Sequence, residues 1–128
     1  MPDSARLRPH PEDRLAAPVQ LVDLPAAAAA LRGEAHPAVA GHRQIAVFRH
    51  GPVTLVTFAF EPQGILKEHQ TDGVVTIHAL SGHLRVVADE DAYELTVGRL
   101  LALAPNIPHT VMALTASEML LTIHKGVP

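Results

Sequence analysis

Two histidines stand apart from the other seven in this chain. His69 closes the polar run Lys67-Glu68-His69 and leads into a Thr71-Asp72-Gly73 turn. His109 opens the run His109-Thr110-Val111-Met112, forty positions further on. Each stands where loop chemistry meets an extended segment. An imidazole so placed can hydrogen-bond a ligand or hold a cation, and it changes charge between about pH 5 and 7. The remaining histidines read as bland. His78 lies on the opposite face of its strand from the apolar residues beside it, as a surface or subunit-contact residue would. His83 follows a turn glycine and reads as solvated, His50 sits in a turn and His124 ends the last strand. His10, His36 and His42 fall in loops or the N-terminal arm.

Those residues need a frame, and the patterning supplies one. Residues 1–22 form an arm with four prolines and no apolar period, in which Val19 to Val22 read as a possible short edge strand. Residues 23–43 are a helix and loop: Asp23 is a cap candidate, Pro25 falls in the first turn, and Gly33 stands where a left-handed C-terminal residue would be. The alanine-rich helix should lie outside the domain and bury little.

From Gln44 onward the signal is β. Expected strands are 44–49, 53–61, 65–69, 74–80, 83–89, 92–96, 100–104, 109–114 and 118–124, with turn residues between them. Their regular spacing of roughly ten residues points to an antiparallel sandwich or barrel.

Composition narrows the function. A chain of 128 residues with 48% hydrophobic and 18% charged side chains forms one folded domain with one core. With a net charge of −3 and scattered basic residues, it carries no footprint for nucleic acid. It has no cysteine, which excludes disulfides and thiolate metal sites. No apolar run reaches a membrane span and the N-terminus lacks a signal-peptide core, so a cytoplasmic protein without membrane partners is the default expectation. No Ser-His-Asp order and no Gly-rich phosphate loop can be argued. Asp89-Glu90-Asp91 reads as a solvated hairpin tip.

Between Gln44 and Lys125 the chain resembles the cupin superfamily, defined by the motifs G-x5-H-x-H-x3-4-E-x6-G and G-x5-P-x-G-x2-H-x3-N. His69 matches the first histidine and Gly82 the closing glycine of motif one, with Gly64 one place from the opening glycine. Thr71 stands at the second histidine and Val75 at the glutamate. In motif two, Gly98 matches the first glycine and His109 the histidine. Ala104 stands at the proline with Pro105 beside it, Asn106 at the internal glycine and Ala113 at the asparagine.

The resemblance implies an all-β jelly-roll barrel (a double-stranded β-helix) of about eight to ten strands over residues 44–125, preceded by the short helix. His69 and His109 would meet near one mouth, and Val75, Ile77 and Ala79 would line the interior. The candidate ligand-binding set is therefore His69, His109, Thr71, Val75 and Ile77. Of the family's metal set, three histidines and a carboxylate, only His69 and His109 are present; they are candidate ligands for iron, manganese, nickel or zinc if water or substrate completes the shell.

Three functions stay open: a small-molecule binder, a metal-dependent dioxygenase, isomerase or decarboxylase, and a sensor or assembly module. A homodimer is expected, because the Val19–Val22 segment could extend a neighbour's sheet.

Overall fold

The computed structural model describes residues 18–126. The arm over residues 1–17, His10 included, lies outside the described residues. One helix and nine strands follow in order: α1 (Leu24–Arg32), β1 (His42–His50), β2 (Val53–Phe60), β3 (Ile65–His69), β4 (Val74–Ser81), β5 (His83–Ala88), β6 (Asp91–Thr96), β7 (Leu100–Leu103), β8 (His109–Ala113) and β9 (Ser117–His124). The strands make two antiparallel sheets, β1-β2-β9-β4-β7 and β3-β8-β5-β6. This is the expected all-β jelly roll with a short N-terminal helix.

Period-2 alternation creates the core. Every second residue of β2, β4 and β9 faces the other sheet: Val56, Phe58 and Phe60, then Val75, Ile77 and Ala79, then Met119 and Leu121. Leu84, Val86 and Ala88 of β5, with Val111 and Ala113 of β8, meet them from the opposite side. Burying each large aliphatic or aromatic side chain contributes about 1.5–3 kcal/mol, so this stripe dominates stability. The β5–β6 hairpin turns through Asp89 and Glu90, both at positive φ (50° and 74°), the backbone of a tight two-residue hairpin.

Helix α1 departs in part from its expectation. Asp23 caps it as anticipated, its Oδ1 accepting from the Ala26 N–H at 3.0 Å. Gly33, however, has φ −85°, an ordinary right-handed conformation, so the glycine is not used for a left-handed cap. The helix also buries more than its composition suggested. Ala28 and Leu31 are fully shielded against the outer face of the five-stranded sheet, where Thr57 and Ala59 of β2 are buried in turn. Arg32 fastens the helix end by donating to the carbonyls of Phe60 (3.4 Å) and Ser117 (3.2 Å).

Two further expectations are corrected. Val19 to Val22 forms no strand; Val19 and Leu21 are 85% and 98% exposed. His42 is not a loop residue but begins β1, its ring 5.6 Å from those of both Phe58 and Phe60. Among the described residues, no helix is long and apolar enough to cross a membrane.

Candidate functional site

Strand β8 runs between β3 and β5, so its inward residues are covered on both flanks. His109 is the first of them and is only 1% exposed, deeper than the mouth position expected. Its Nδ1 lies 3.0 Å from the Ile107 carbonyl oxygen. A carbonyl can only accept, so Nδ1 carries the hydrogen and donates it. In the neutral ring the acceptor lone pair is therefore on Nε2. The local chain produces this lock by itself, because Ile107 and His109 are two residues apart.

Position 69 comes to the same place through an irregularity of β3. Leu66 pairs with Val111 and His69 with His109, so three residues of β3 span two of β8. This β-bulge opposes both Lys67 and Glu68 to Thr110. It brings residue 69 level with His109, and the two histidine positions are direct cross-strand neighbours along the backbone. The His69 ring lies outside the described part of the chain. Bulges on edge strands commonly re-aim a strand in this way beside a site.

The loops beyond these strands are tied together. The Asn106 N–H donates to the Thr71 carbonyl at 2.8 Å, joining the β7–β8 loop to the β3–β4 loop. Asn106 itself has φ +67°, a conformation that glycine and asparagine tolerate best. Thr71 Oγ1 is occupied locally, accepting from the Gly73 N–H at 3.4 Å and donating to Asp72 at 3.5 Å. Val75 and Ile77 lie in the packed core, 2% and 0% exposed, against Leu103 and Leu101 of β7 and Ile123 and Leu121 of β9.

A cavity of about 380 Å³ opens beside β3, lined by Gln44, Val56, Phe58, Leu66, Lys67, Leu121 and Ile123. It marks where the edges of the two sheets part. At one end β1 and β3 are held together: the Ile65 N–H donates to the Ala40 carbonyl (2.9 Å) and His42 Nδ1–H to the Ile65 carbonyl (3.0 Å). Past that seam the walls separate at Gln44 and Lys67. Of the expected ligand-binding residues, His109, Thr71, Val75 and Ile77 are not among its described lining residues, which come from four strands. Leu66 and Lys67, on the strand that leads to His69, connect it with the histidine pair.

Among the described residues, no three histidine or carboxylate side chains gather closely enough to hold an ion. The described set therefore does not fit a metal that needs three or more protein donors. A different cluster sits on the outer face of the β5–β6 hairpin. Glu94 accepts from Arg85 Nε at 2.7 Å and from His83 Nε2 at 2.7 Å. Those hydrogen bonds, Arg85's first, hold the Glu94 carboxyl below its ordinary range, while Glu94 raises Arg85 in return. His83 is thus a partner in an ion cluster rather than a merely solvated side chain.

No protein-family model matches the sequence, and no curated protein does. Solved structures do. A cupin superfamily protein from Desulfitobacterium hafniense aligns with a TM-score of 0.67 at 17% identity, over 77% of this chain and 87% of its own. An RmlC-like cupin from Desulfovibrio desulfuricans is 26% identical with a TM-score of 0.60, over 65% of this chain and 81% of that one. Salicylate 1,2-dioxygenase from Pseudaminobacter salicylatoxidans aligns with a TM-score of 0.65 at 16% identity, over 77% of this chain and 31% of its own. Two facing antiparallel sheets, a histidine at the matching place in each motif and these likenesses agree: the chain has the cupin fold.

Proposed function

We propose that this cupin binds a small, largely apolar molecule in the cavity beside β3, with the imidazoles of His69 and His109 as its polar anchors. The observation that carries the reading is the bulge, which pairs position 69 with His109 on the strand whose Leu66 and Lys67 line the cavity. The volume falls near the lower end of the roughly 300–1,000 Å³ of small-molecule sites, and five of the seven described lining residues are apolar. His109, fixed by the Ile107 carbonyl, offers an acceptor at Nε2 to a ligand hydroxyl or amide; protonation of the ring would turn that acceptor into a donor.

A screen of small organic molecules by amide chemical-shift perturbation tests this. Binders should shift Leu66, Lys67 and Leu121 together, and His109→Asn should weaken them. Shifts confined to the outer face of either sheet would defeat the proposal. Affinity should also change between about pH 5 and 7 as an imidazole titrates.

One observation favours a second reading, a metal-dependent enzyme: an imidazole held through Nδ1 by a carbonyl is the arrangement usual in metal-ligating histidines. Metal analysis of protein purified without chelator decides it. Stoichiometric iron, manganese, nickel or zinc lost in both His69→Ala and His109→Ala supports this second reading, and metal-free folded protein supports the first. The homodimer belongs to the same proposal. Sedimentation of the full chain beside a variant lacking residues 1–22 tests it, a dimer that survives the truncation removing any role for the arm.

A further inference from the structure

The outer faces of the two sheets differ in kind. On the four-stranded sheet the outward residues include the cluster of His83, Arg85 and Glu94, the charged surface of an antiparallel sheet that faces water. On the five-stranded sheet the strand registers set Phe48, Leu55, Thr122, Thr76 and Ala102 in one outward row across β1, β2, β9, β4 and β7. The next row carries Leu120, His78 and Leu100, level with Thr57 on the side where α1 packs. Away from the helix, Leu100 is 54% and Val74 36% exposed. Neither row, nor the row of Val53, His124 and Val74 beyond, holds an acid, a lysine or an arginine.

The polar groups left in the two central rows are threonine hydroxyls and the His78 imidazole. A hydroxyl or a neutral imidazole both donates and accepts, so it can pair with its own copy across a twofold axis. A carboxylate can only accept and an ammonium can only donate, so neither could. Resting on the homodimer proposed above, we infer that this face is where a second copy of the chain docks. The two five-stranded sheets pack face to face, with His78 near the axis. Three rows about 6.8 Å apart, across strands about 4.8 Å apart, project roughly 400 Å² per copy once the corner under α1 is set aside. Side chains standing off the sheet raise the accessible area above that projection, so two copies bury about the 1,000 Å² of a specific interface.

Sedimentation of the full chain over a concentration series that spans the transition, with amide spectra at both ends, tests the inference. The amides of Thr76, His78, Leu120 and Thr122 should shift as the dimer forms, while those of Arg85, Val87 and Glu94 stay in place. His78→Glu brings two carboxylates to the axis and should weaken the dimer at least about a hundredfold. Val87→Glu, on the outer face of the other sheet, should leave the dimer within about twofold of wild type. If His78→Glu does not fold, the wild-type shifts alone decide. If the shifts fall on the four-stranded sheet instead, or folded His78→Glu dimerises as the wild type does, this face is overturned and the homodimer stands. A full chain that stays monomeric at every concentration removes the face and the homodimer together.

Discussion

The two motif-bearing halves of the barrel carry the same letters but are held by different physics. In the first half the histidine is on β3, an edge strand with a bulge, and the glycine is locked. Gly82 has φ +77°, and a Cβ there would run into Ser117 Oγ and the Ala116 carbonyl. In the second half the pattern is reversed. His109 is enclosed on a central strand and hydrogen-bonded through Nδ1, while Gly98, at φ +87°, faces open space. One half thus has its fixed point at the turn, the other at the imidazole. A motif match marks a position, and only packing reveals which matches bear strain.

The sharpest way to break this contrast is at the glycines. Gly82→Ala combines a left-handed backbone penalty with overlap against backbone, so it should cost about 3 kcal/mol or more. Gly98→Ala meets only the backbone penalty and should cost about 1 kcal/mol. Urea denaturation of both variants compares them, and equal losses would dissolve the distinction. The histidines should answer in the opposite order. His109→Ala empties a buried site and leaves the Ile107 carbonyl without its donor, a loss of about 3 kcal/mol. His69→Ala, on an edge strand, should cost less than about 2 kcal/mol. A larger loss at His69 would make it a packed structural element, contrary to a role as a ligand anchor.

Asn106 gives a finer test within the second half. It occupies the family's internal glycine position and departs from the motif by letter, yet its φ of +67° keeps the backbone that glycine would supply. Asn106→Gly should therefore change stability by less than about 0.5 kcal/mol, whereas Asn106→Ala should lose about 1 kcal/mol. If alanine proved as good as glycine, the Thr71–Asn106 loop contact alone would be setting that geometry.

That substitution also shows what could be read from the sequence. Strand periods and turn residues are local signals, and they sufficed for nine strands with boundaries within one or two residues. Other features depend on partners far along the chain. The bulge at Lys67–Glu68 has no compositional mark, since a lysine and a glutamate suit any edge strand. Gln44 and Lys67 likewise carry no mark in the sequence; the parting of β1 from β3 gives them a cavity to line. The burial of the alanine helix is not legible in its composition, because small side chains bury little by themselves; Ala28 and Leu31 gain their burial from the outer face of β2. Val19 to Val22 had strand composition, but no strand of this chain pairs with it.

The smallest effect concerns the hairpin that links the two halves. Gly82 leads directly into His83, which, with Arg85, donates to Glu94 across β5 and β6. If the halves owe their stability to the separate fixed points above, this exposed cluster should matter little, and its contribution should depend on pH in one direction. The folded Glu94 carboxyl lies below its ordinary value of 4.5, so its contribution is fully present above that pH. It fades as the pH falls from there through the lower folded value, where the carboxylate gains its proton and gives up the acceptor role. Glu94→Gln should accordingly melt slightly below the wild type at pH 7, with the gap closing in acid. Melting curves of the two proteins from pH 7 down to pH 3 measure it. A gap that is large at pH 7, or that persists in acid, would mean that the hairpin is a third fixed point of the barrel and that the two-half contrast is incomplete.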